Sequence, residues 1–231
     1  MSSPSHLHSE ERPVQVSVGP VLLAGDLSIP KEARGIVVFA HGSGSSRHSP
    51  RNRSVAYALR AGGLATLLFD LLTPEEEATD LHTAHLRFDI SLLARRLVGA
   101  TDWLAQQPDT RALRVGYFGA STGGGAALVA AAAHQEAVGA VVSRGGRPDL
   151  AGTALTRVHA PTLLIVGGRD PQVIALNRQA LAQLRTETRL EIIPGASHLF
   201  EEPGALEQVA RLACQWFLRQ LRPVDVDQVR L

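Results

Sequence analysis

Cysteine and lysine are nearly missing from this chain, and each scarcity closes off a class of function. The one cysteine, Cys214, cannot form an internal disulfide. Lys31 is the only lysine, so no lysine follows a glycine-rich run and a P-loop nucleotide site is excluded. Neither sign of charge dominates. The 23 basic and 22 acidic residues leave a formal net charge of +1, which offers no electrostatic footprint for a nucleic-acid backbone or an anionic bilayer. The longest apolar runs, such as Ala126–Ala133, fall far short of the roughly 18 to 20 residues that span a bilayer. The opening residues lack the apolar core of a signal peptide, so a cytoplasmic protein is expected. No stretch spells G-x-G-x-x-G, which argues against a nucleotide-dependent oxidoreductase. His82 and His85 could share a helix face, but two ligands do not make a zinc site, and neither metal nor cofactor is expected.

What is present is enough to build one domain. Hydrophobic residues make up 45% of 231, sufficient for a core without disulfides. The pattern divides the chain into a flexible segment over 1–12, a folded domain over 13–222 and a tail over 223–231. Val14–Val18 and Val21–Ile29 flank a Gly-Pro break and predict an opening hairpin. Short, almost uninterrupted apolar runs follow at Gly35–Ala40, Ala65–Phe69, Leu113–Phe118, Val138–Ser143, Thr162–Val166 and Leu190–Ile193. Strands buried on both faces of a parallel sheet read this way.

Helical stripes lie between them. One starts at Ser49-Pro50 and stops at Gly62-Gly63. A second carries Leu86, Ile90, Leu93, Leu97 and Leu104, a third Val173, Leu176, Ala180 and Leu184, and the last runs from Leu206 to Phe217. The alternation predicts an α/β fold, a mostly parallel doubly wound sheet of about eight strands with helices on both faces, whose chemistry belongs on loops beyond the carboxyl ends of the strands.

Those loops hold the reactive residue types. After Phe118 the chain reads Gly119-Ala120-Ser121-Thr122-Gly123 and enters a helix, which is G-x-S-x-G in the strand-to-helix setting its mechanism needs. Small residues on either side let the chain turn sharply and present the Ser121 hydroxyl. A hydroxyl is a weak nucleophile until a base takes its proton, and that base needs an orienting partner. Asp170 follows the strand ending at Val166, and His198 follows the strand ending at Ile193. The order Ser, Asp, His is the order this fold uses. Asp170 also precedes Pro171 and a helical stripe, so it can serve as an N-cap.

An acyl-transfer intermediate needs donors for its oxyanion. The N–H of Thr122 is one, and the loop His41-Gly42-Ser43-Gly44-Ser45-Ser46 supplies the other, with Ser43 favoured over Gly44. His41 is read as a support for that loop, and Gly42 and Gly44 as places where the backbone approaches substrate. Arg144 and Arg147 follow a strand, so one could hold a substrate carboxylate, with surface ion pairing as the plainer alternative. Glu75, Glu76, Glu77 and Asp80 read as a solvated helix start, and Cys214 as structural.

The His-Gly loop, the Gly119–Gly123 motif, Gly167–Asp170 and His198 together resemble the α/β-hydrolase superfamily. The short chain with no inserted cap is similar to the dienelactone hydrolase family over roughly Val14 to Leu221. That resemblance implies hydrolysis through a covalent enzyme intermediate. Dienelactone hydrolases proper carry a cysteine nucleophile where this chain has Ser121, which moves the expectation toward a carboxylesterase acting on a small ester, lactone or thioester. The alternatives are an acyltransferase with the same residues and a non-catalytic binding protein on the same fold. A small-molecule substrate, with neither nucleic acid nor membrane as partner, is the corresponding expectation.

Overall fold

The computed structural model describes residues 11–221. The expected N-terminal segment through residue 10 and the tail from 222 lie outside the described residues. The first strand, β1 (Glu11–Val18), pairs antiparallel with β2 (Val21–Ser28) around Gly19, whose φ is 55°. Glu11 and Arg12, expected in the flexible segment, therefore belong to the sheet. Six strands follow: β3 (Ile36–Ala40), β4 (Ala65–Phe69), β5 (Val115–Ala120), β6 (Val138–Arg144), β7 (Thr162–Gly167) and β8 (Thr188–Ile193). Their order in the sheet is β1-β2-β4-β3-β5-β6-β7-β8. Pairing is parallel from β4 through β8, and β2 meets β4 antiparallel.

Among the described residues six helices lie between or after them: α1 (Pro50–Ala61), α2 (Pro74–Thr83), α3 (Ile90–Gln106), α4 (Thr122–Ala133), α5 (Pro171–Leu181) and α6 (Ala205–Gln220). The central strands are buried throughout, and successive side chains enter opposite cores because strand side chains alternate. Ile36 and Val38 join the core under α3 and α4, whereas Val37 and Phe39 join the one under α1 and α6. Helices therefore cover both faces.

Two local expectations change. The stripe from Leu86 to Leu104 is not one helix: Leu86–Phe88 forms a 3₁₀ turn, and α3 begins only after Asp89, whose carboxylate caps Leu92 N–H at 2.9 Å. Glu75 and Glu77 are exposed in the first turn of α2, as a solvated helix start requires, but Asp80 is not solvated. Asp80 is only 2% exposed and receives the N–H groups of Leu86 and Arg87 together with the Arg87 guanidinium. Burial alone would raise its pKa, but those donors outweigh burial and hold it below the usual carboxylate range. Glu76 closes a capping box with Thr73 and pairs with Arg96. Between β6 and β7 the chain makes only a 3₁₀ segment, Pro148–Arg157, so no helical cap is inserted there.

Candidate active site

The turn from β5 into α4 is the most constrained place in the site. Ser121 has φ 51° and ψ −119°, a region that residues with a side chain rarely occupy. Such a conformation costs about 1 to 3 kcal/mol and persists only where its surroundings enforce it. Here they do. The Ser121 N–H donates to Arg144 O at 3.2 Å, and Ser121 O accepts from the N–H groups of Gly124 and Arg147, each at 3.0 Å. Both glycines of the motif are required by close approach. A Cβ on Gly119 would lie 2.4 Å from Gly123 O, and one on Gly123 would lie 2.2 Å from Ala40 O.

Asp170 caps α5 and holds His198 with one carboxylate. Its Oδ1 accepts the Val173 N–H at 3.4 Å, while Oδ2 lies 2.7 Å from His198 Nδ1. The two readings of Asp170 are compatible because the groups use different oxygens. The loops carrying the pair are stitched together by Gly168 N–H to Ile193 O at 2.8 Å and Arg169 N–H to Ala196 O at 2.9 Å. With Nδ1 on Asp170, Nε2 of His198 is the nitrogen left for the cleft. That cleft, about 260 Å³, is walled by Ser121 and His198 together with Gly42, Ser43 and Ser49.

His41 is a structural group. Its Nε2 accepts the Leu71 N–H at 3.2 Å, so its proton is on Nδ1, which donates to Gly42 O at 3.0 Å. Burial pushes its pKa below 6.5, against weaker opposition from the Gly42 carbonyl and the Asp70 and Glu77 charges. The loop it anchors presses on Ser121: a Cβ on Gly42 would meet Ser121 Cβ at 3.3 Å. Thr122 is the first residue of α4, where the N–H has no acceptor one turn earlier in its own helix. The N–H of Ser43, expected to be free for an oxyanion, instead donates to Thr122 Oγ1 at 2.9 Å. Gly44, at φ 68°, faces Arg87, whose Nη1 would stand 3.8 Å from an added Cβ.

The two arginines separate. Arg147 forms a two-pronged pair with Asp149 at 2.8 and 2.7 Å, the surface ion pair of the plainer reading. Arg144, the last residue of β6, is 8% exposed and enters the cleft beside Ser121. Two further walls, Arg51 and Asn52 in the first turn of α1, were not singled out from the sequence; they follow the His-Gly loop directly, and that adjacency was the available signal. Across the same loop lies a second cavity of about 200 Å³, sharing Gly42, Ser43 and Ser45 and lined by Leu71, Leu72, Leu81 and Leu93. Cys214 is half-buried on α6, near Gly62 and away from these walls. Among the described residues no group of three or more His, Cys, Asp or Glu side chains is arranged to hold a metal.

The sequence matches the model of the dienelactone hydrolase family over residues 23–222. A dienelactone hydrolase from Anabaena variabilis, known from its crystal structure, is 69% identical and superposes with a TM-score of 0.92, covering 93% of this chain and 100% of that one. Est1E from Butyrivibrio proteoclasticus shares the fold at 17% identity and a TM-score of 0.74, over 90% of this chain and 98% of that one. A Mycobacterium tuberculosis H37Rv protein, provisionally named a phosphoribosyl transferase, is 64% identical over 215 residues, which are 93% of this chain and 47% of that protein. This chain thus spans about half the length of two curated relatives that it matches.

Proposed function

Because the chain belongs to the dienelactone hydrolase family, we propose that it is a serine hydrolase of small esters, lactones or thioesters, with Ser121 as nucleophile, His198 as base and Asp170 as its orienting acid. The observation that carries this reading is the strained backbone of Ser121, at φ 51°, in a cleft shared with a histidine whose other nitrogen is held by a carboxylate at 2.7 Å. Strain of this kind concentrates at functional sites. The bland alternative, a glycine-rich turn that only packs closely, does not account for the paired histidine in the same cleft.

In the mechanism that follows, Ser121 Oγ attacks the carbonyl carbon while His198 Nε2 takes its proton. The oxyanion is held by the N–H of Thr122 and by that of Ser43, which keeps its bond to Thr122 Oγ1 and takes the oxyanion as a second acceptor. The intermediate collapses, the leaving oxygen takes the proton from His198, and Ser121 retains the acyl group. Water, deprotonated by His198, then attacks the acyl-enzyme and releases the acid. Asp170 stays ionised throughout and stabilises the imidazolium. No step calls for a cofactor.

The phosphoribosyl transferase name belongs to a protein more than half of which lies outside the match. A strained serine beside a His–Asp pair supports acyl chemistry in the shared half. The test is labelling by a fluorophosphonate, which reacts quickly only with a base-activated hydroxyl beside oxyanion donors. Stoichiometric labelling lost in Ser121→Ala is the expected result. Equal labelling of the alanine variant would overturn the assignment.

A further inference from the structure

Asn177 is a fully buried amide in the interior of α5. Asparagine is a poor residue for a helix interior and an unfavourable one for a core, because its amide must find partners inside the protein. Only one end of it does. Nδ2 donates to Val173 O at 2.8 Å and to Gly146 O at 3.0 Å, whereas Oδ1 has no hydrogen-bond partner among the described residues. The reverse orientation would set Oδ1 against two carbonyl oxygens, so the acceptors fix which end faces them. A leucine would fill this space without leaving a buried oxygen unpaired. What the amide adds is a donor that reaches Gly146, 31 positions away in the chain.

Gly146 O belongs to the peptide that holds Ser121. In a planar trans peptide the carbonyl of Gly146 and the N–H of Arg147 point in opposite directions on one rigid unit. That N–H donates to Ser121 O at 3.0 Å, so Asn177 grips one end of the plane and Ser121 the other. A donor on the carbonyl also polarises the peptide and strengthens its N–H as a donor. The neighbours leave this unit little freedom: the Gly145 N–H donates to Ile165 O at 2.7 Å, and a Cβ on Gly146 would lie 1.8 Å from Ser143 Oγ. The other acceptor of Asn177 leads to the acid. Val173 bonds to Asp170 Oδ1 through its N–H, at 3.4 Å, and to Asn177 through its carbonyl. One amide therefore joins the strained turn of Ser121 to the helix that carries Asp170.

We propose, resting on the hydrolase reading above, that Asn177 is a positioning residue for the reaction: through the Gly146–Arg147 peptide it holds Ser121 in its strained conformation, in register with the His198–Asp170 pair. Asn177 is not a wall of the cleft and acts on the rate only through the placement of Ser121.

Two substitutions and a control test this on p-nitrophenyl butyrate. Asn177→Leu removes the donor at similar volume, and Asn177→Ser leaves a hydroxyl that bonds Val173 O one turn back but cannot reach Gly146. Both should lower kcat about tenfold or more with KM within about twofold, as a misplaced nucleophile in an intact cleft does. Ala180→Gly, one turn further along α5, loosens the same helix without touching these bonds; it should lower the urea midpoint and leave kcat within about twofold. Wild-type kcat in either Asn177 variant, or a loss of kcat in Ala180→Gly that matches theirs, would make Asn177 a packing residue and overturn the proposal. Should Asn177→Leu fail to fold, Asn177→Ser decides alone. Amide hydrogen exchange separates this outcome from the hydrolase reading: in a folded Asn177 variant the Arg147 N–H should exchange about tenfold faster than in wild type, with Tyr117 in β5 unchanged. If no ester is turned over, the hydrolase reading fails on its own. Faster Arg147 exchange then still supports the hold on Ser121, and an unchanged rate overturns it.

Discussion

The N–H of Ser43 donates to Oγ1 of Thr122 across 2.9 Å, although 79 positions separate them in the chain. The bond ties the loop after β3 to the first residue of α4, so the two proposed oxyanion donors sit on residues that hold each other. A side-chain acceptor here fixes the loop before substrate arrives, which is where pre-organisation is useful.

Thr122→Ser keeps the acceptor and should leave kcat within about threefold of wild type. Thr122→Val removes it and should lower kcat by about tenfold with little change in KM, less than the roughly 10² to 10³ expected for losing a donor outright. Steady-state kinetics on a p-nitrophenyl ester measure both. A faster Thr122→Val would mean that the bond competes with the oxyanion instead of preparing for it.

Asp170→Asn separates the cap from the orienting role. Asparagine caps helices about as well as aspartate, so the thermal midpoint should move little. It cannot stabilise the His198 imidazolium in the same way, and kcat should fall by about 10³ to 10⁴. An unaltered rate would reduce Asp170 to a cap.

His41 should make the fold sensitive to mild acid. Its folded pKa is depressed, chiefly by burial, so below 6.5 the unfolded chain takes up a proton that the folded one resists. Stability is therefore present above 6.5 and declines as pH falls through the window beneath it. Asp80 and Glu202, held below their ordinary values of 3.8 and 4.5, add a separate loss at lower pH. Midpoints recorded from pH 7 to 3 should show both phases, and His41→Gln should flatten the first.

Gly123→Ala should be among the most damaging single-methyl changes. The added Cβ would stand 2.2 Å from Ala40 O, and the facing atom is backbone that cannot rotate away. A destabilisation of about 1 to 3 kcal/mol follows from overpacking alone. Displacement of the Ser121 turn should also abolish fluorophosphonate labelling. Urea denaturation and labelling of the soluble fraction test the two effects separately.

Acyl-chain preference should be short. Each methylene that is buried contributes about 0.8 kcal/mol, and the leucine-lined cavity of about 200 Å³ is small and bordered by Glu77 and Asp80. Among p-nitrophenyl esters kcat/KM should rise from acetate to butyrate and then fall. A steady climb to decanoate would require a longer apolar channel.

Much of the architecture was legible because it rests on short-range patterns. Buried strands are continuous apolar runs, helices between them carry their stripes, and the candidate catalytic residues Ser121, Asp170 and His198 lie just past strand ends. The same local pattern misread the run from Leu86 to Leu104, because apolar spacing continues across Asp89 while the backbone stops there to be capped.

What the sequence by itself determined was the α/β alternation and the residue types at each strand end, both written in neighbours a few positions apart. Tertiary structure decided which distant groups meet. Sheet register and crossing loops set Ser43 against Thr122, tied Asp170 to His198, and brought Arg51 from α1 into the cleft where Nε and Nη1 of Arg144 have no hydrogen-bond partner among the described residues. Such juxtapositions depend on the order β4-β3-β5-β6 and the packing of helices on it, and no local window of residues encodes them.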